Sequence, residues 1–394
     1  MIKTIGPFDF TPPPQLHFGC GKISVLPAIA KGYGSRVLLI TGKRSFDFSL
    51  YSNDLLEGLG AKRITIVRQT IDAEPSPAVI DAAVIAHASF DPDVVVAIGG
   101  GSVLDAAKAV AAMLPVKGSV KDYLEGVGTR VHPGVKVKLI AVPTTSGTGS
   151  EATKNAVLSE TGEKGYKRSL RHNNFVPDAA ILDPVLTLGC PPAITAATGM
   201  DAFTQLLESY LSTAANPITD ALAREGLRRV ATSLPQAFHE GANPEPRTDM
   251  AMASYLSGIT LANAGLGLVH GFASSIGGYF SIPHGVICSS LMSAANKVTV
   301  RKLRQEKMNE HALTKYATIG KMFSNEEKRS DEYYTDYLLE VIEMWQDQMK
   351  IPGLSPYGVT PAAYEKIVNS TDNKNNPVRL GKEEMVEVLE MAEG

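Results

Sequence analysis

The stretch DPDVVVAIGGGSVLDAAKAVAAML, residues 91–114, indicates the fold of the N-terminal half of the chain. Its first part is an apolar, β-branched run that favours a buried strand, and its second part is predicted to be a helix. Glycines join the two, so backbone N–H groups at the start of the helix can approach an anion such as a phosphate. The stretch has neither a GxGxxG fingerprint nor a GK[ST] sequence, so an ordinary tight turn stays open as the alternative.

Four further apolar runs in the same half are predicted to form strands. They are SRVLLITG (35–42), AKRITIVRQ (61–69), KVKLIAVPTT (136–145) and DAAILDP (178–184). Helical segments such as residues 77–89 and 102–114 lie between the runs. Strands that are apolar on both faces and alternate with helices indicate a parallel sheet covered on both sides.

The pattern changes after Pro184, where long amphipathic segments dominate and no convincing strand occurs. In the helix that begins near Asp201, the apolar residues follow helical spacing; they are Phe203, Leu206, Leu207, Tyr210 and Leu211. The other face carries Asp201, Gln205, Glu208 and Ser212. We therefore expect two domains, an α/β domain over residues 1–187 and an all-α domain over residues 188–394.

Composition limits the classes of partner. The chain has 394 residues, a hydrophobic share of 44% and a formal net charge of −3, which gives no reason to expect nucleic acid or a membrane as partner. Cys20, Cys190 and Cys288 are widely spaced, and their spacing resembles neither a disulfide framework nor a thiolate zinc site. The N-terminus has no long apolar segment and no run of about 18 apolar residues occurs, so we expect a cytoplasmic protein.

Asp201, His270 and His284 form a set that can hold a divalent metal ion. Gln205 lies one helical turn after Asp201 and can face the same cavity, and Ser274 has the same spacing from His270. Glu208, on the polar face, is a candidate to orient a ligand, with a structural or solvated role as its alternative. Packed or surface histidines remain the alternative to a metal site.

A second segment, PTTSGTGSEATKNAVLSE (143–160), follows a predicted strand and is rich in glycine and hydroxyl side chains. Such a segment can wrap a nucleotide through backbone and hydroxyl hydrogen bonds, or it can be a flexible surface loop. Because two glycine-rich segments follow neighbouring strands, ligand binding at the carboxyl edge of the sheet is favoured.

Across nearly its whole length the chain resembles the iron-containing (group III) alcohol dehydrogenases. The matching motifs are FGCGK (18–22), GGGSVLDAAK (99–108), PTTSGTGSEAT (143–153), ILDP (181–184), TGMDAFTQLLESY (198–210), NAGLGLVHG (263–271) and IPHG (282–285). The resemblance implies a Rossmann-like dinucleotide-binding α/β domain and an all-α domain, in a dehydroquinate synthase-like architecture. It also implies a metal ion and a substrate in the cleft between them, and a homodimer.

The resemblance further implies a set of residues that bind a nicotinamide cofactor. Those at the pyrophosphate are Gly100, Gly101 and Ser102, and those around the rest of the cofactor are Thr144, Thr145 and Lys167. Asp105 and Thr148 lie in the same motifs and complete the candidate set.

Two positions depart from the family pattern. Members of the family usually bind their metal ion through an aspartate and three histidines; Asp201, His270 and His284 match, but Gln205 stands in place of the second ligand. A neutral glutamine oxygen is a weaker ligand, so we expect a weakened or altered site, and an O/N ligand set does not choose between iron and zinc. Ser274 stands where typical members carry a proton-relaying histidine, so the pH dependence should differ.

The end of the second strand bears on the choice of cofactor. Many NAD-using members place an aspartate there, but this chain has Gly42, followed by Lys43, Arg44 and Ser45. A small residue followed by two cations and a hydroxyl favours a 2′-phosphate through charge-assisted hydrogen bonds. We therefore expect NADP to be preferred over NAD.

These observations predict a metal-dependent, NAD(P)-linked dehydrogenase that acts on a small alcohol or aldehyde. In this hypothesis the metal ion polarises the substrate oxygen, and Asp201, His270, His284 and Ser274 form the catalytic set. A metal-independent reductase of the maleylacetate reductase type, a dinucleotide-binding protein without catalysis and a lyase of the dehydroquinate synthase kind remain alternatives. The sequence does not identify the substrate.

Overall fold

The computed structural model describes residues 6–43, 46, 47, 49, 51–307 and 309–394. Its N-terminal half alternates strands and helices. The strands are β1 (Gln15–Phe18), β2 (Arg36–Gly42), β3 (Thr65–Ile71), β4 (Val94–Gly99), β5 (Lys138–Pro143), β6 (Asn155–Glu160), β7 (Tyr166–Arg171) and β8 (Ala179–Leu182). The helices are α1 (Leu26–Tyr33), α2 (Ser52–Ala61), α3 (Pro77–His87) and α4 (Gly101–Met113).

Six of these strands form one parallel sheet in the order β1-β8-β5-β4-β2-β3. All six residues of β4 are buried, because apolar clusters cover both faces of the sheet. The five predicted strands correspond to β2, β3, β4, β5 and β8, so the parallel sheet predicted from the sequence is confirmed. The carboxyl ends of β4 and β5 are adjacent, with Gly99 opposite Pro143.

Three strands were not predicted. β1 is a short edge strand beside β8, and β6 and β7 form a separate antiparallel hairpin. The hairpin overlaps residues 143–160, which we expected to be a ligand-wrapping segment or loop. The loop alternative is wrong for Asn155–Glu160, since these residues form a strand, and the ligand-binding role of the segment stays a prediction. β7 carries three cations in six residues, and this polar composition conceals its strand character from hydrophobic periodicity.

The C-terminal half is helical, as predicted. Its helices are α5 (Pro192–Leu211), α6 (Pro217–His239), α7 (Pro244–Ala264), α8 (Leu268–Tyr279), α9 (His284–Glu306), α10 (Glu310–Phe323), α11 (Asp331–Gln348), α12 (Pro361–Ser370) and α13 (Lys382–Met391). They enclose one apolar core drawn from residues 196–392. No strand occurs among the described residues after Leu182, and the two-part fold class is confirmed.

α5 is buried on its polar face as well as on its apolar one. Asp201, Gln205 and Glu208 are all buried, so the polar face meets other parts of the protein and not solvent. α9 begins at His284, directly after Pro283, which occupies the N-cap position. Together these two helices bring an acid and a histidine to the same region.

The turn that follows β5 packs tightly against the helical half. Gly149 has a φ of 60°, and a Cβ atom there would lie 2.5 Å from the backbone nitrogen of Gly258 on α7. Only glycine accepts this conformation and approach without strain. The glycine-rich segment is therefore held between sheet and helices.

In the described part of the chain, no single helix is both long and apolar enough to span a membrane. α7 and α8 together meet the length and composition criteria, as a pair bent by 95°.

Candidate active site

A cavity of about 460 Å³ lies between the carboxyl edge of the sheet and the helical half. Gly101 and Ser102 line it from the start of α4, and Thr148 lines it from the segment after β5. His270 and His284 line it from the helical half. The two groups of residues singled out in the sequence therefore border one space.

A cluster of four potential ligands borders this cavity. Asp201 on α5, His270 on α8, and His284 and Cys288 on α9 each offer one atom, and these four atoms lie within 4.8 Å of one another. Asp201 Oδ1 is 3.3 Å from His270 Nε2 and 3.8 Å from His284 Nε2. The three residues predicted to bind a metal ion are thus brought together.

Glu208 fixes the orientation of one of the imidazoles. Its carboxylate accepts hydrogen bonds from His270 Nδ1 at 2.7 Å and from the backbone N–H of Val269, also at 2.7 Å. With Nδ1 held by Glu208, the other ring nitrogen, Nε2, faces Asp201 at 3.3 Å. A carboxylate behind a histidine in this way is the usual support of a metal-binding imidazole.

An orphaned oxygen shows that the cluster fits a cation. Asp201 is only 1% exposed, yet its Oδ1 atom makes no well-directed hydrogen bond in the described part of the chain, and the nearest ring nitrogen, His270 Nε2, is 3.3 Å away. A buried carboxylate oxygen without a donor is unfavourable unless a cation compensates it. The imidazole nitrogens beside it supply the other ligands that zinc or iron requires.

The electrostatics of the cluster favour a charged carboxylate. Burial would raise the pKa of Asp201, but His284 and His270 hold this pKa at about 2. Burial lowers the pKa of His284 to about 4, against the attraction of Asp201. Burial also opposes protonation of His270, but Cys288, Asp201 and Glu208 raise its pKa well above the usual range. Protons and a cation therefore compete for these atoms.

Gln205 lies beside Asp201, but its amide already has partners within the protein. Its Nε2 donates to Asp201 Oδ2 at 3.2 Å, and its Oε1 accepts from Ser257 Oγ at 3.3 Å. The oxygen needed for metal binding thus faces Ser257. In this arrangement Gln205 positions Asp201, and its predicted role as a ligand stays a prediction.

Ser274 lines the cavity one turn after His270. Its hydroxyl donates to the His270 carbonyl oxygen at 2.9 Å, and Lys374 Nζ lies 3.5 Å from the same hydroxyl. Lys374 Nζ also donates to the His270 carbonyl, at 2.9 Å. Ser274 is therefore close to the candidate metal site, and its catalytic role stays a prediction.

The start of α4 allows a ligand to approach the backbone closely, because glycines occupy its first positions. No side chain in the described chain caps this helix, and Gly100 occupies its N-cap position in an extended conformation. A Cβ atom on Gly101 would lie 2.8 Å from the side chain of Thr148. Free N–H groups at a helix N-terminus favour an anion such as a pyrophosphate.

Thr144 and Thr145 lie directly behind this turn. The Thr144 N–H donates to the Gly99 carbonyl at 3.0 Å, which joins the ends of β5 and β4. Thr145 Oγ1 would lie 3.3 Å from a Cβ atom on Gly100. Neither threonine lines the cavity, so their contact with the cofactor stays a prediction.

Asp105 lines the cavity, but its two oxygens are bound within the protein. One accepts from the Ser150 hydroxyl and the other from the Val157 N–H, the latter at 3.1 Å. Lys108, one turn later and fully buried, donates to the carbonyl oxygens of Ser150 and Asn155. These contacts tie the segment after β5 to α4, and contact of Asp105 with the cofactor stays a prediction.

Lys167 is linked through Glu74 to the cluster of four potential ligands. Lys167 Nζ and Glu74 Oε2 are 2.6 Å apart, and the Glu74 Oε1 atom accepts from the backbone N–H of His284 at 3.2 Å. Glu74 therefore connects the sheet half to the start of α9. The sequence analysis missed Glu74, because its spacing from the other site residues carries no signal.

The predicted 2′-phosphate site is only partly described. Gly42 ends β2, and Lys43 Nζ pairs with Asp72 Oδ2 at 2.8 Å on an exposed surface. Arg44 and Ser45 lie outside the described residues.

The sequence analysis also missed Cys288, although the signal was present. Cys288 follows His284 by four residues, and this spacing places both on one face of α9. The spacing between the three cysteines resembles no thiolate zinc site, and it gave no reason to consider Cys288. The structure places Cys288 in the four-residue cluster that could hold a metal ion.

Comparisons with known proteins agree with this geometry. A family model described as iron-containing alcohol dehydrogenase matches residues 13–184, and one for the C-terminal part of the Fe-containing alcohol dehydrogenase family matches residues 195–393. The chain is 35% identical to alcohol dehydrogenase 4 of Saccharomyces cerevisiae over 305 residues, which cover 76% of each protein.

Two solved structures are similar over nearly the whole chain. A 1,3-propanediol oxidoreductase has a TM-score of 0.88 and 28% identity, with 98% of this chain and 100% of that chain covered. A sulfoacetaldehyde reductase from Bifidobacterium kashiwanohense, in complex with NAD+, has a TM-score of 0.84 and 27% identity, with 98% and 99% covered.

Proposed function

Because the chain belongs to the family of iron-containing alcohol dehydrogenases, we propose that it transfers hydride between a nicotinamide cofactor and a small alcohol or aldehyde, with the help of a divalent cation. One observation carries the proposal: the orphaned Oδ1 of Asp201 faces two imidazoles, one of them supported by Glu208, at the wall of a cavity. The helix N-terminus at Gly101 borders the same cavity.

Asp201, His270 and His284 are the residues we propose to hold the cation. A cation held there would supply Lewis-acid polarisation of the substrate oxygen, and a nicotinamide bound in the cavity would supply the hydride chemistry at the adjoining carbon. Glu208 keeps the proton of His270 on Nδ1, so that Nε2 stays directed at the cluster. Gln205 holds Asp201 through the second carboxylate oxygen. The cluster is thereby oriented before any ligand binds.

The cofactor is proposed to lie along the carboxyl edge of the sheet. Gly100, Gly101 and Ser102 would meet the pyrophosphate at the start of α4, and Thr148 and Lys167 would line its path toward the helical half. The cavity lining supports this path, since Gly101, Ser102, Thr148 and Lys167 all border it. The glycines at positions 100 and 101 allow the backbone to approach the ligand.

NADP is the proposed preference, on the basis of Gly42 and the cations that follow β2. The pairing of Lys43 with Asp72 leaves this cation on the surface, where it can exchange its carboxylate partner for a phosphate. The ratio of kcat/KM for NADPH to that for NADH should exceed one. A tenfold preference for NADH would overturn this proposal.

Four further assignments are proposals. We propose iron or zinc as the metal ion, a homodimer as the assembly, the cytoplasm as the location, and a domain boundary between residues 187 and 188. The boundary is supported by the end of the last strand at Leu182 and the start of α5 at Pro192.

Replacement of His284 with alanine tests the proposed function. We expect His284→Ala to lose the metal ion and turnover together, while NADPH binding, followed by fluorescence, persists. His239→Ala, at the exposed end of α6, is the matched control and should keep both. Full activity of His284→Ala, or activity of the parent enzyme that survives complete removal of metal, would exclude a metal-dependent mechanism.

A further inference from the structure

Cys288 occupies a position that ordinary packing does not explain. It is fully buried on α9, and its Sγ atom is 3.6 Å from His270 Nε2 and 3.7 Å from His284 Nε2. A thiol donates one hydrogen and its sulfur accepts only weakly, so hydrogen bonding gives this contact with two imidazoles little stabilisation. Cys20 and Cys190 lie outside the cluster.

The distances from the Cys288 sulfur to the two imidazoles match those between the ligands of a tetrahedral ion. With metal–nitrogen bonds of about 2.1 Å and metal–sulfur bonds of about 2.3 Å, tetrahedral angles place nitrogen and sulfur about 3.6 Å apart. The two observed separations are 3.6 and 3.7 Å. For nitrogen and oxygen ligands the same construction gives about 3.3 Å. Asp201 Oδ1 is 3.3 Å from His270 Nε2, and its distance of 3.8 Å from His284 Nε2 would have to shorten when an ion binds.

Asp201, His270 and His284 leave room for a fourth protein ligand, because the amide of Gln205 is bound elsewhere. With that ligand in place, the substrate oxygen would bind as a fifth. The Gln205 oxygen accepts from Ser257, while the Cys288 sulfur has no hydrogen-bonding partner besides the two imidazoles in the described part of the chain. We propose that Cys288 provides a thiolate ligand to the cation held by Asp201, His270 and His284. This inference rests on the proposed function and adds to it a ligand of a different chemical class.

The thiolate would lie away from the side on which the substrate enters. His270 and His284 border the cavity, whereas Asp201 and Cys288 do not. Binding of the cation breaks the S–H bond, forms a sulfur–metal bond and releases one proton to solvent, with no change of oxidation state. One sulfur among nitrogen and oxygen ligands makes the site softer and favours zinc over iron(II) or manganese(II).

Cobalt(II) is the probe that tests for the sulfur ligand. The full-length chain, freed of metal by a chelator, should bind one cobalt ion per chain and develop a thiolate-to-cobalt charge-transfer band in the near ultraviolet. Cys288→Ser should lose this band but keep the visible absorption of bound cobalt. Cys20→Ser, at an exposed site, should keep both. A parent protein that binds cobalt without the band would overturn the inference.

A competition between zinc and manganese measures how much Cys288 contributes to the preference for zinc. Loss of a hydrogen-bonding partner of a metal ligand costs roughly 10- to 100-fold in metal affinity, and loss of a direct ligand should cost zinc at least as much. The zinc-over-manganese preference should therefore fall at least tenfold in Cys288→Ser. An unchanged preference would contradict the inference.

X-ray absorption at the zinc edge of the holoenzyme needs no variant and so does not depend on whether Cys288→Ser folds. It should show one sulfur at about 2.3 Å, and a first shell of nitrogen and oxygen alone would overturn the inference. That result would leave the proposed function intact, because the function fails only if the parent chain binds no cation or keeps its activity without one.

Discussion

Replacement of Glu208 with glutamine tests the residue that orients His270 without changing any of the proposed metal ligands. The side chains have nearly the same shape, so packing around α5 is kept. The carboxylate accepts two hydrogen bonds of 2.7 Å, from His270 Nδ1 and the Val269 N–H, and is only 7% exposed. An amide has one oxygen, so one of these two N–H groups would face an NH2 group in Glu208→Gln. His270 would then lose either its orientation or its donated proton.

The expected loss has two parts. Removal of a partner that orients a metal-binding histidine lowers metal affinity roughly 10- to 100-fold, which is about 1.4–2.7 kcal/mol. Loss of a buried hydrogen bond to a charged group lowers the free energy of unfolding of the metal-free protein by about 1.5–3 kcal/mol. The first part is measured by competition with a chromophoric chelator and the second by urea denaturation.

Glu57→Gln, on the exposed surface of α2, makes the same chemical change away from the site and should alter neither quantity. A Glu208→Gln protein whose metal affinity stays within twofold of the parent would refute the role of Glu208 in supporting His270.

Three further variants test the segment between β5 and β6. Lys108→Met should lower the free energy of unfolding by about 3–5 kcal/mol in urea denaturation. The substitution removes the cation that binds two buried carbonyl oxygens and lies beside Asp105. An unchanged urea midpoint would contradict this. Burial raises the pKa of Glu151 from 4.5 to about 7. Between these two pH values the folded state keeps a proton that the unfolded state has lost. The free energy of unfolding of the parent protein should therefore fall by about 3 kcal/mol between pH 4.5 and 7 because of this residue. Glu151→Gln should lack that part of the fall, and parallel pH profiles for the two proteins would contradict the assignment. Gly149→Ala should destabilise the protein by more than about 1 kcal/mol in the same assay, since its φ of 60° and its contact with α7 exclude a Cβ atom, and wild-type stability would show that the turn can relax.

The sheet was predictable because its central strands are buried on both faces. β4 and β5 appear in the sequence as continuous apolar runs, and a short run of this kind is typical of a strand in a parallel sheet. β1 and the β6–β7 hairpin were missed, since β1 is a four-residue edge strand and four of the six residues of β7 are polar, three of them cations. β1 is fixed by pairing with the distant β8, which hydrophobic periodicity does not record.

The metal site was predictable only in part. Asp201, His270 and His284 were found from their context and from the family resemblance, and the structure brings them together. Glu208 was a candidate on helical spacing alone; its contact with His270 joins residues 62 positions apart. Cys288 lies four residues after His284 and was overlooked, because a single cysteine resembles no thiolate site when it is judged by spacing between cysteines.

The most direct test is a crystal structure of the enzyme with NADPH bound, with anomalous scattering recorded at the absorption edges of iron and zinc. We expect one anomalous peak per chain, within bonding distance of Asp201, His270 and His284, with the nicotinamide ring facing the same part of the cavity. Crystals of fully active enzyme without a peak at these side chains, or with the only peak elsewhere, would contradict the central claim that this cluster holds the catalytic ion.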